Sequence, residues 1–154
     1  MNTVTVLLIV HGLLAVALLG AITHQALSVW MPVQKPAGSF TGRFRAVTGG
    51  SYTRAIIVLY LLTFLLGGII YAEYRIEIRI VVEQLGLWPQ SGVFEIKEHF
   101  AAIGLGILPA YAYYWRQPAD TGRTRAMLTA LLAFIVWWNF LVGHILNNIR
   151  GFGS

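Results

Sequence analysis

The sequence predicts an all-α integral membrane protein, a four-helix bundle forming one transmembrane domain with both termini on the outer side. Three observations carry that expectation. Of 154 residues, 57% are hydrophobic and only 11% charged, which is too apolar for a soluble domain of this size. Four apolar runs are each long enough to cross a bilayer. The basic residues cluster in the connections between runs rather than inside them.

The first run, about 4–30, contains His11-Gly12 and, near its far end, Thr23-His24-Gln25. It stops at Met31-Pro32, because a residue before proline is pushed out of the helical region. Its opening residues lack the basic segment of a cleavable signal, so the run is expected to stay as an anchor. Lys35 to Gly50 reads as a polar loop broken by Pro36, Gly38, Gly42 and Gly49-Gly50.

The second helix is expected over about 52–85, apolar from Ala55 to Tyr71 and then charged through Glu73 to Ile80. Alternating charges there suit a helix continuing beyond the membrane, since Glu73 with Glu77, and Arg75 with Arg79, share faces at four-residue spacing. Gly86 to Gly92 is expected to turn, with Trp88 at the interface. The third helix, about 95–115, carries Glu95, Glu98 and His99 at its start and Pro109 inside it. Its Tyr111, Tyr113, Tyr114 and Trp115 form an aromatic belt. The fourth, about 122–149, has no charged residue from Ala126 to Asn148 and carries His144 near its end.

Orientation follows from the loops. Lys35, Arg43, Arg45, Arg54, Arg116, Arg123 and Arg125 lie on one side, opposed only by Asp120. The other side mixes Arg75, Arg79, Lys97 and Arg150 with the remaining carboxylates. The positive-inside rule therefore puts both termini outside, in a multi-pass protein of a bacterial inner membrane. The same basic residues have a lipid surface to meet, and nothing in their distribution calls for nucleic acid.

Depth then follows from residue count. At a rise of about 1.5 Å per residue, His11 lies roughly 10 Å below the outer boundary, with His99 and His144 in the same half. His24 stands alone on the inner side and reads as an interfacial histidine. Imidazoles inside lipid are costly and mark a functional site by default. Histidines at one depth on different helices, with Gly12, Gly143, Gly104 and Gly106 on the same helices, are what a b-type haem requires. The favoured axial pair is His99 with His144, with Glu95 able to orient His99 from four residues away. The alternative is His11 with His144, leaving His99 for a propionate or a quinone. Arg75, Arg79, Lys97 and Arg150 supply cations for propionates on that side.

In its four-helix plan and intramembrane histidines the chain resembles the small membrane cytochromes b of the cytochrome b561 type. That resemblance implies electron transfer between quinones and other carriers, including a partner membrane subunit or a soluble carrier. The family pattern of two histidine pairs is not matched. His11 and His24, thirteen apart, turn about 140° from each other and do not suit two stacked haems.

Two other readings compete. The same histidines with a carboxylate could hold non-haem iron, zinc or copper. A cofactor-free accessory or assembly subunit would account for the small size and for the charged edge from Glu73 to Arg79. Asn139 reads as an interhelical hydrogen bond, and Trp137 and Trp138 as packing. The absence of cysteine excludes disulfides and thiolate centres, and no nucleophile–base triad or phosphate loop is present.

Overall fold

The computed structural model describes residues 3–32, 38, 40, 43, 47–117 and 122–149, with only the backbone of the last three. Lys35, Arg45, Asp120 and Arg150 lie outside the described residues. Every regular element among these is helical: α1 (Thr3–Trp30), a 3₁₀ turn (Gly49–Tyr52), α2 (Thr53–Glu73), a π-helical turn (Tyr74–Ile78), α3 (Arg79–Gln84), α4 (Trp88–Arg116) and α5 (Gly122–Ile149).

Three helical segments are long and apolar enough to cross a membrane: Thr3–Trp30, Gly49–Gln84 and Gly122–Leu146. Their surfaces suit lipid. Leu13, Leu65, Ile69, Phe134 and Ile145 are exposed, whereas Gln25 and Thr129 are buried. In such a bundle the driving forces between helices are packing and hydrogen bonding rather than removal of apolar surface from water. α4 has similar length but carries Glu95, Lys97 and Glu98 in its early turns and polar aromatics at its end, which lowers its hydropathy.

The second helix passes through the π-helical turn and on to Gln84 without a strand or loop. The turn that follows is tighter than Gly86–Gly92. Gly86 adopts a left-handed conformation (φ 72°), and α4 already begins at Trp88, with Pro89 in its first turn. Proline suits that position because its missing N–H would have no intrahelical partner there. The interfacial Trp88 is thus the first helical residue, and it is exposed.

α1 lies against both α2 and α5, and α5 packs along α4. The tight core fills the half of the bundle near the α4–α5 connection, where Leu18, Ile22, Ile56, Leu108, Tyr111, Leu132 and Val136 interlock. Gln25, fully buried, ties the helices together there. Its Nε2 donates to Gly49 O (2.9 Å) and Thr53 Oγ1 (3.1 Å), and its Oε1 accepts from the Tyr111 hydroxyl. Trp115 Nε1 donates to Thr129 Oγ1 (3.1 Å), which itself donates to Arg125 O (2.8 Å). Between core and cavity, Gly104 lets α4 approach α2 closely enough for the Tyr60 hydroxyl to donate to Ala101 O (2.8 Å).

Candidate functional site

At the other end, where α1 begins and α5 finishes, the bundle is not filled. Gly12, Ala15, Gly67, Ala101 and Gly143 line this space beside larger apolar side chains such as Leu8, Phe64 and Phe94. These small residues leave a cavity of about 450 Å³, within the range of small-molecule sites. Along α1 it runs from Val4 to Leu18, about 21 Å at the rise of an α-helix.

Two histidines line it, from the first and the last helix. His11 lies against Gly67 so closely that a Cβ there would stand 3.2 Å from its Cε1. Its Nδ1 is shielded from solvent and has no hydrogen-bond partner among the described residues. His144 is exposed at the cavity's edge and stacks on Phe140, one turn earlier, with centroids 6.4 Å apart and planes 3° from parallel. Lys97 joins the two sides. It is ion-paired to Glu98, holds its Nζ 4.7 Å from the Phe94 ring centre, and runs its stem past Gly143.

The remaining expected residues are elsewhere. His99 is exposed on α4 and does not line the cavity; its Nδ1 is 2.7 Å from Glu95 O. Glu95 thus orients His99 through its backbone, while its carboxylate accepts from Arg79 (2.9 Å) and the Tyr71 hydroxyl (3.1 Å). Arg79 also bonds Glu83 (2.7 Å), and Arg75 donates to Tyr71 (3.1 Å). Neither arginine lines the cavity, and Lys97 is the cation on its wall among the described residues. His24 sits at the core end, its ring tilted 32° to that of Tyr52 with centroids 4.6 Å apart. No group of three or more His, Cys, Asp or Glu side chains gathers into a metal site among the described residues.

Sequence reasoning did not single out Thr63, Gly67 or Gln90, which also line the cavity. The Gly67-Gly68 pair inside an apolar run was the available signal for the first two, since glycine within a membrane helix marks a close approach. Asn139 makes no interhelical bond with its amide nitrogen. Its Nδ2 donates to Ile135 O (2.7 Å) on its own helix. Tyr71, Tyr74 and Phe94 stack at the rim, with centroids 3.9–6.2 Å apart.

The arrangement suits an extended, largely apolar ligand that meets nitrogen donors from two helices. The sequence matches no protein-family model, no curated protein and no solved structure.

Proposed function

We propose that this chain is a multi-pass protein of a bacterial inner membrane, with both termini outside, that binds haem b and transfers electrons, with quinone as exchange partner. The observation behind this reading is that His11 and His144, from opposite ends of the sequence, line one cavity. The residues present fit the group. A buried imidazole nitrogen lacks a partner, small residues leave room for a macrocycle, and Lys97 is close enough to His144's helix to meet a propionate. Bound there, haem iron would supply reversible one-electron chemistry. His11 and His144 are the residues that would hold the iron. His99, exposed at the start of α4, is suited instead to a partner subunit or soluble carrier at the membrane surface. Burial of an imidazole in lipid without such a role carries a penalty that evolution rarely leaves unused.

The test is a reduced-minus-oxidised visible spectrum of the purified protein with a pyridine haemochrome assay. A haem b α-band that His11→Ala and His144→Ala each largely remove, and that His24→Ala and His99→Ala retain, is the expected result. A flat spectrum would refute the haem reading and favour a cofactor-free subunit of a larger complex.

A further inference from the structure

At the end of the bundle opposite the cavity, three helix ends are drawn together around Trp115. Its Nε1 donates to Thr129 Oγ1 on α5 (3.1 Å), and the Arg125 guanidinium lies 5.1 Å from its ring centre. Gly49, just before α2, sits so close that a Cβ there would stand 2.9 Å from Trp115 Cη2. One turn back on α4, Tyr111 meets Gln25, which also holds Thr53. The start of α2, the end of α4 and the start of α5 therefore form one corner, and it carries Arg54, Arg116, Arg123 and Arg125. The described carboxylates, Glu73, Glu77, Glu83, Glu95 and Glu98, all belong to the opposite end. Arg125 is held by Gln117 O (3.0 Å), whereas Arg54, Arg116 and Arg123 are exposed.

What borders these arginines identifies their partner. Arg123, Met127 and Leu131 are exposed at four-residue intervals and share one face of α5. Arg54 and Val58 repeat the arrangement on α2. A dissolved anion would use only the cations. A guanidinium group followed along the same helix face by exposed apolar side chains matches a molecule with an anionic head and acyl chains. Trp30 and Tyr113, exposed at this end, mark the head-group level. Guanidinium groups bind phosphate oxygens through paired N–H donors, and the cytoplasmic leaflet is the anionic one.

We infer that this corner binds an anionic phospholipid of the inner leaflet, its phosphate among Arg54, Arg116 and Arg123 and its acyl chains along α2 and α5. The inference requires the bundle to span the membrane with this end inside; it is independent of the haem assignment.

The test uses full-length protein in phosphatidylcholine vesicles in which a minor component is brominated, either phosphatidylglycerol or, in the matched sample, phosphatidylcholine. Bromine quenches tryptophan fluorescence, so stronger quenching by the anionic lipid measures its enrichment at the protein. Its relative binding constant should be about fivefold higher, the factor that one basic residue near an anionic surface supplies. Arg116→Gln/Arg123→Gln should bring the ratio close to unity, while Arg75→Gln/Arg79→Gln, which removes the same charge at the other end, should preserve it. Should the first variant fail to fold, salt at about 1 M, where the screening length is about 3 Å, should lower the parent protein's ratio instead. Equal quenching by the two lipids, or equal losses in the two double variants, would overturn the inference. Equal quenching together with thermal stabilisation by inorganic phosphate would assign the corner to a soluble anion. Flotation with the vesicles reports insertion separately, which distinguishes failure of this inference from failure of the membrane reading.

Discussion

Replacing Gly104 by alanine reverses the usual effect of that substitution in a helix. Glycine to alanine inside a helix normally stabilises by about 1 kcal/mol. Here the new methyl would overlap the Tyr60 hydroxyl and lie 2.8 Å from Tyr60 Cζ, with Ile135 Cγ2 at 3.1 Å closing the other side. Tyr60 is 5% exposed and cannot swing away without leaving its bond to Ala101 O. Overpacking of this kind costs about 1–3 kcal/mol. A buried hydroxyl left without its acceptor adds about 1–3 kcal/mol. After the propensity gain is subtracted, a net loss of about 1–5 kcal/mol remains. Thermal unfolding in detergent, followed by tryptophan fluorescence, should show a midpoint lowered by roughly 2–20 °C. Gly106→Ala is the control two residues along the same helix. Nothing stands within 4 Å of its added methyl, so it should be neutral or slightly stabilising. In a Tyr60→Phe background, where the overlapping oxygen is gone, Gly104→Ala should cost distinctly less. A Gly104→Ala midpoint equal to or above that of Gly106→Ala would refute the close approach of α4 to α2 on which this reasoning depends.

Two further substitutions separate buried from exposed polar contacts. Gln25→Leu strands the buried Tyr111 hydroxyl and removes two further bonds, so it should lose about 2–4 kcal/mol of stability. Adding Tyr111→Phe should recover part of that loss in a double-mutant cycle; strict additivity would argue against the Gln25–Tyr111 bond. Glu95→Gln removes one partner of Arg79 but leaves Glu83 in place, and both side chains of the lost pair are about a third exposed. Its unfolding midpoint should stay within about 2 °C of the parent protein, and a large drop would mean that the cluster is better shielded than its exposure indicates.

Sequence by itself determined where the helices run. Apolar length and the Met31-Pro32 stop are local properties, and each acts on its own segment without reference to a neighbour, whereas the helix expected from about 95 begins at Trp88. It also put His11, His99 and His144 forward as candidates, with His99 and His144 favoured as a pair, because position along a helix follows from residue count alone. Rotation about the helix axis was decided only by the tertiary structure. His99 is exposed on α4, whereas His11 lines the cavity with its Nδ1 shielded, a difference that residue count along the helix does not reveal. In a soluble protein the polar face of a helix reveals its orientation. When lipid and core are equally apolar, that signal disappears, and the rotation is set by which small residues allow close approach and which polar atoms find partners. Gly67 beneath His11, Gly104 beneath Tyr60 and Gln25 between three segments set it here. None of these can be read before their partners are known, because each is a pairing of residues distant in sequence.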